Sequence, residues 1–311
     1  MRVLVTGGAG FIGSNLVQRL LEQGHSVRVL DNFATGLRSN LISFEKEIEL
    51  VEGDLRSYER VHNGVRGVDV VLHQGALPSV PRSIQDPLTT NSVNINGTLN
   101  VLLASRDEGV KRVVYASSSS VYGESRELPK RESMVLAPLA PYAVAKLAGE
   151  FYCQAFSRVY PIETVCLRYF NVFGPRQDPR SQYSAVLPKF IDRMRDGARP
   201  VIFGDGEQSR DFTYVGNVVD ANLLAMEADG VSGEIFNIAT GKAVTLNSVV
   251  EELNKMLGAA IQPEYEPSRV GDIRHSLADV SKAERMLGYQ PRVSFKEGLA
   301  ETLRWHMEHQ T

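Results

Sequence analysis

The chain has 311 residues, 43% of them apolar and 23% charged, and a formal net charge of −3. That length fits one large domain or two smaller ones sharing a cleft, and the composition is that of an ordinary globular protein with no basic field to attract nucleic acid or an anionic membrane. No stretch approaches the roughly 20 apolar residues of a membrane span, and the apolar run before the first glycines is too short for a signal-peptide core, so a cytoplasmic address without nucleic-acid or membrane partners is expected.

Short apolar runs alternate with longer mixed segments through the first half. Arg2–Thr6 reads as a strand, then come glycines, then Phe11–Gln23 at helical spacing. Ser26–Leu30 is a second strand that ends at Asp31, Ile48–Glu52 a third, Val68–His73 a fourth and Arg112–Ala116 a fifth. A long helical pattern covers about Asn91–Glu108, another about Pro141–Tyr160, and Glu163–Arg168 is a further strand. Strands that are β-branched throughout and separated by helices predict a parallel sheet covered on both faces, hence a doubly wound α/β fold. After about Asn171, Pro, Gly and charged residues become frequent. Helices are expected near Ser248–Leu257 and Val280–Leu287, within a smaller portion that binds substrate. Cys153 and Cys166 lie outside any CxxC pair and read as reduced core thiols.

Gly7, Gly10 and Gly13 follow the first strand and open the first helix. The first glycine suits a tight turn, the second lets backbone amides approach a pyrophosphate, and the third lets helix and strand pack closely. Asp31 ends the second strand 18 residues after Gly13. A carboxylate there can accept both ribose hydroxyls of NAD and repels a 2′-phosphate, although a turn or cap aspartate has the same appearance. Asp54, after the third strand, can face the adenine amino group or simply serve a turn.

Tyr142 and Lys146 are four residues apart on a predicted helix and share a face. A lysine ammonium beside a phenol stabilises the phenolate, so Tyr142 is expected to have a lowered pKa and to exchange a proton near neutral pH. Ser117–Ser120 follow the fifth strand, at the carboxyl edge of the expected sheet, where hydroxyls can bond a substrate oxygen or cap a turn.

The segments TGGAGFIG, SSSSVYG, PYAVAK and LRYFNVFGP resemble the hallmarks of extended short-chain dehydrogenases acting on nucleotide sugars, and the likeness continues through GDGEQSRDF and RVGDIRHSLAD. The resemblance implies a Rossmann domain over 1–172 plus about 216–243, and a smaller C-terminal α/β sugar-nucleotide domain over 173–215 and 244–311. It implies catalysis by Ser118, Tyr142 and Lys146. It assigns NAD to Gly7, Gly10, Phe11, Ile12, Gly13, Asp31, Asn32, Gly36, Asp54, Leu55, Gln74, Ala76, Ser117, Tyr142, Lys146 and Tyr169. It assigns the substrate to Ser79, Arg82, Ser118, Ser119, Ser120, Tyr142, Asn171, Leu187, Val201, Arg210, Arg269, Asp272 and Ser276, with Arg210 and Arg269 on the diphosphate and Ser79, Arg82, Ser119 and Ser120 on the sugar, and it sets Asn94 near the active site. No metal is expected.

Dehydratases of the family carry Asp-Glu before VYG and decarboxylating members a glutamate, whereas this chain has Ser119-Ser120, which resembles the epimerases. Ser276 stands where epimerases limited to plain hexoses have a bulky tyrosine. The implied activity is inversion at C4 of a UDP-hexose, UDP-GlcNAc/UDP-GalNAc or UDP-Glc/UDP-Gal. Alternatives are a UDP-glucuronate 4-epimerase or decarboxylase and, more distantly, a non-catalytic NAD(H)-sensing protein. The resemblance also implies a homodimer through a four-helix bundle built from Asn91–Glu108 and Pro141–Tyr160. Two departures from the family pattern stand out: Gly75 in the His73–Ala76 segment, where alanine is usual, and Val215-Gly216-Asn217, where an acidic pair is common.

Overall fold

The computed structural model describes residues 1–123, 125, 127–178, 186–268 and 274–309. In chain order the strands are β1 (Arg2–Thr6), β2 (Ser26–Asp31), β3 (Ile48–Glu52), β4 (Val70–His73), β5 (Arg112–Ser118), β6 (Glu163–Tyr169), β7 (Val172–Phe173), β8 (Val201–Phe203), β9 (Ser209–Arg210), β10 (Thr213–Tyr214), β11 (Glu234–Ile238), β12 (Val244–Thr245) and β13 (Glu264–Glu266). The helices are α1 (Phe11–Glu22), α2 (Tyr58–Val65), α3 (Val80–Gln85), α4 (Pro87–Asn91), α5 (Gly97–Asp107), α6 (Pro141–Val159), α7 (Val186–Arg195), α8 (Val215–Glu227), α9 (Leu246–Leu257), α10 (Ser281–Leu287) and α11 (Phe295–Glu308).

Seven parallel strands form the main sheet in the order β11-β6-β5-β4-β1-β2-β3. Alternate residues of each strand face opposite layers. Val3, Val5, Val29, Leu72 and Val114 pack with α1 and α8 on one side, and Leu4, Leu30, Val71, Val113 and Tyr115 pack with α2, α5 and α6 on the other. Burial on both faces is why the strands carry β-branched residues without alternation. The strand order reverses between β1 and β4, so a crevice opens there at the carboxyl ends. The doubly wound α/β fold expected from the sequence is the fold observed.

Some boundaries differ from the sequence reading. The helix expected at 91–108 begins as a π-helical turn, Ser92–Asn96, before α5, and short α3 and α4 precede it. Each short helix has proline in its first turn and a side-chain cap, Ser79 or Asp86, so caps rather than periodicity define them. β5 runs on to Ser118, which carries the first serines onto the sheet edge.

The smaller portion has short strand pairs, β7 with β10, β8 with β13 and β9 with β12. Its core gathers Phe173, Leu187, Phe190, Phe212, Val249 and Leu299 from α7, α9, α11 and the strands between them. A capping box of Ser294 and Glu297 starts α11. Among the described residues no helix is long and apolar enough to cross a membrane, and no group of His, Cys, Asp and Glu is arranged to hold a metal ion.

Candidate active site

The glycine turn admits no side chain at two of its three positions. Gly7 has φ 68°, and a Cβ there would lie 2.7 Å from Gly75 Cα; one on Gly13 would lie 2.1 Å from the Gly7 carbonyl oxygen. The backbone therefore bares the start of α1 to a cleft of about 780 Å³, a size typical of ligand sites. Every residue assigned to NAD in the sequence analysis lines this cleft.

Asp31 is buried, and both carboxylate oxygens accept backbone N–H bonds, from Ala9 at 2.9 Å and Phe33 at 2.8 Å. Burial raises its pKa, and those bonds pull against it. Asp54 serves its own turn as well as lining the cleft. It accepts from the Arg56 backbone at 2.8 Å, from the Arg56 guanidinium and from Asn32 Nδ2, and Arg56 holds its carboxyl at about 2. Gln74, Tyr169 and Asn222 form a closed triangle, with Asn222 donating to the Tyr169 oxygen at 2.8 Å and Gln74 donating to Asn222 Oδ1 at 3.0 Å.

Tyr142 and Lys146 face the same cleft from α6. The Ser118 hydroxyl hydrogen-bonds the phenol, and Ser120 donates to Ser118 Oγ through its amide at 3.2 Å and its hydroxyl at 2.9 Å. Lys146 Nζ lies 5.9 Å from the Tyr142 ring centroid and donates to the Ala116 carbonyl at 2.7 Å. Burial draws the lysine down to about 8, against the charge of Glu150. The sequence reading expects the lysine to lower the phenol's pKa, and here the phenol stands above its ordinary value. It is half-buried and desolvation raises it, its opposing hydrogen bond comes from Ser118, and the donation recorded for the lysine goes to a carbonyl rather than to the phenol oxygen.

Below them, His73 is bonded through both ring nitrogens, to Thr6 Oγ1 at 2.7 Å and Thr98 Oγ1 at 3.1 Å. Burial, then the charge of Lys146, pushes it down to about 3. Asn94, in the π-helical turn, brackets Leu77 by accepting its N–H at 2.7 Å and donating to its carbonyl at 3.0 Å, which fixes the 74–79 strip along the cleft.

A second cavity of about 550 Å³ lies on the smaller portion, and both cavities flank the stretch 169–178. Asn171, Leu187, Val201 and Arg210 line the second cavity, together with Phe203, Gln208 and Phe212. Arg210 Nη1 donates to the Ser209 carbonyl at 2.9 Å and the Arg274 carbonyl at 3.1 Å. Ser79 and Arg82 line the first cleft instead. Ser79 has φ 92° and caps α3 by accepting the Arg82 N–H. Ser118, Ser119 and Ser120 turn the chain after β5, and half-buried Ser276 donates its N–H to the Ser209 carbonyl at 3.0 Å; none of these four lines either cavity. Arg269 and Asp272 lie outside the described residues.

Both departures from the family pattern have local causes. A Cβ on Gly75 would meet Leu55 Cδ1 at 2.9 Å and Thr6 Oγ1 at 3.1 Å. Asn217 is buried and grips Val293 twice, donating to its carbonyl at 2.8 Å and accepting its N–H at 3.0 Å, a pairing that needs an amide rather than a carboxylate. Sequence reasoning passed over Phe33, Arg56, Gln177 and Asp178 in the first cleft and Phe203, Gln208 and Glu266 in the second. It also passed over Glu150, whose signal was its place one helical turn beyond Lys146.

Residues 3–239 match the NAD dependent epimerase/dehydratase family. The chain is 39% identical to a UDP-glucose 4-epimerase of Mycolicibacterium smegmatis, over 97% of each chain. Its structure resembles a UDP-N-acetylglucosamine 4-epimerase from Methanobrevibacter ruminantium, solved in complex with UDP-N-acetylmuramic acid, at TM-score 0.94 and 40% identity, covering 99% of this chain and 98% of that one. It also resembles a Thermus thermophilus UDP-glucose 4-epimerase in complex with NAD, at TM-score 0.90 and 38% identity over the whole of both chains. With matches of this extent, the chain belongs to the NAD-dependent epimerase/dehydratase family.

Proposed function

We propose that this protein is an isomerase that inverts the C4 hydroxyl of a UDP-hexose with NAD, through a 4-keto sugar. The observation that carries the reading is the convergence of Tyr142, hydrogen-bonded by Ser118, and Lys146 on a cleft that runs from the glycine turn toward a second, arginine-bearing cavity. NAD, when bound, supplies a reversible two-electron oxidant for C4. The bare turn of Gly7, Gly10 and Gly13 fits its pyrophosphate, Asp31 its adenosine ribose and Lys146 its nicotinamide ribose. Tyr142, as a phenolate once the charges of Lys146 and of the bound nicotinamide offset the burial that raises it, would take the proton of the 4-hydroxyl and later return it, and Ser118 would bond the 4-oxygen. Arg210, with Arg269, holds the diphosphate bidentately while the sugar turns over, and Asn171, Leu187 and Val201 surround the nucleotide. The substrates we favour are UDP-GlcNAc/UDP-GalNAc and UDP-Glc/UDP-Gal, of which UDP-glucose and UDP-N-acetylglucosamine appear in the names of the relatives above; small Ser276 leaves room for the acetyl group.

The functional division is 1–172 with 216–243 for the cofactor, and 173–215 with 244–311 for the sugar nucleotide. The reading includes a homodimer formed across α5 and α6, supported by exposed Val144 and Phe151 on α6 and Ile84 and Leu88 close by. It includes a cytoplasmic address, with which two free, buried cysteines agree. The test is a side-by-side assay of UDP-glucose, UDP-N-acetylglucosamine and UDP-glucuronate without added cofactor. C4 epimers are expected from the first two, with NAD released when the protein is denatured. No interconversion of either, or conversion of UDP-glucuronate alone, overturns the proposal.

A further inference from the structure

The geometry points to Glu150 as a positioning residue: with Arg168 it sets the field in which Lys146 keeps its proton beside Tyr142. This inference rests on the catalytic reading of Tyr142 and Lys146. Tyr142, Lys146 and Glu150 recur every four residues on one face of α6. Glu150 is fully buried, accepts from Arg168 Nε at 2.8 Å and Nη2 at 2.7 Å, and accepts from the Ser117 hydroxyl. Arg168 is buried too, and its Nη1 donates to the Tyr122 oxygen at 2.9 Å. Tyr122 donates to Asn237 Oδ1 at 2.7 Å. The ion pair therefore sits directly beneath the end of β5 that presents Ser117 and Ser118.

Stability alone does not explain such a pair, since buried ion pairs are often replaced by apolar residues without loss. Its place does. Among the described residues no carboxylate forms an ion pair with Lys146, whose ammonium donates to the Ala116 carbonyl. The groups against it are Tyr142, Glu150 and Cys153 on α6, Tyr115 on β5 with its ring centroid 5.0 Å from Nζ, and His73 on β4; Arg168 on β6 pairs with Glu150, and Cys166 on β6 lies near it. Of these only Glu150 supplies a carboxylate. His73 is neutral, so Glu150 offsets two buried cations, Arg168 and Lys146. Removing its charge leaves Arg168 to repel the lysine's proton. Removing Arg168 leaves the carboxylate to attract it.

The test uses opposite signs. In Glu150→Gln the alkaline limb of the kcat profile is expected to move about one pH unit toward acid, and in Arg168→Gln about one unit toward alkali. Glu150→Asp keeps the charge and should keep the limb while lowering kcat. Thermal melts check that each variant is folded, and if one fails to fold, the other decides. A limb that stays put in a folded variant, or moves the same way in both glutamine variants, overturns the proposal. The pH dependence of NADH affinity, read by NADH fluorescence, gives the same opposed shifts without turnover. It separates failure of this inference from failure of the epimerase reading, which would show as wild-type protein that binds NADH and converts no UDP-sugar.

Discussion

Tyr142 stands in the first turn of α6, half-buried, with Ser118 on its oxygen and a lysine one turn away. Substituting phenylalanine keeps the ring and removes only the hydroxyl proposed to carry the proton. Tyr142→Phe should cost about 100-fold or more in turnover and leave NADH affinity within about twofold, read by steady-state kinetics and fluorescence titration. A near-normal rate would refute the assignment. Ser276 is half-buried and bound through its backbone to Ser209, next to Arg210, and on the proposed reading a large ring there would crowd an acetylated sugar. Ser276→Tyr is expected to lower kcat/KM for UDP-N-acetylglucosamine at least about tenfold more than for UDP-glucose. Equal losses on both sugars would sink the volume argument. At this scale the sequence displays chemistry well, because glycine, tyrosine, lysine and serine keep their functional groups wherever they fold. It displays environment poorly: the phenol's raised pKa comes from burial that no motif records.

Among the elements, β1, the glycine turn and α1 act as one unit. A methyl on Gly13 would press on the Gly7 carbonyl and Gly8 Cα, and both belong to backbone that cannot give way cheaply. Gly13→Ala is predicted to destabilise the fold by about 1–3 kcal/mol and to abolish co-purification of NAD, checked by urea unfolding and by absorbance after denaturation. Retained cofactor would contradict the close-packing role of this glycine. On α6 the residues facing inward carry the proposed chemistry, while Val144 and Phe151 lie exposed at helical spacing on the other side. Phe151→Asp should convert the expected dimer to monomer in sedimentation velocity, and an unchanged sedimentation coefficient at low concentration would argue against an α6 interface. Long elements such as α6 were legible because their periodicity repeats. α2, α3 and α4 span eight residues or fewer, too short for a period to emerge.

For the molecule as a whole, His73 links acid stability to the site. It lies at the centre of the sheet, neutral, with its folded pKa pushed to about 3 by burial and by Lys146. In the unfolded chain it returns to about 6.5, so the unfolded state binds the extra proton between those values. The stability it contributes is therefore complete above about pH 6.5 and is lost as pH falls toward about 3. Asp31 and Asp211, raised by burial, work in the opposite direction and are shared by wild type and variant. Urea unfolding at a series of pH values should show a shallower acid decline for His73→Gln than for wild type, by up to one proton. Identical slopes would show that this imidazole is not held neutral.

The sequence by itself determined the doubly wound sheet, the glycine turn at its first crossing and the spacing of Tyr142 and Lys146, because each is written in neighbours within a turn or a strand. The tertiary structure alone decided which distant segments meet. It joined β11 to β6, closed a cavity from residues 171 to 266, set Asn217 against Val293 and laid Arg168 beneath Glu150. The physical reason is that periodicity and turn chemistry act along the chain, whereas pairing, burial and the fields they create act across it, between residues whose separation in sequence carries no local mark.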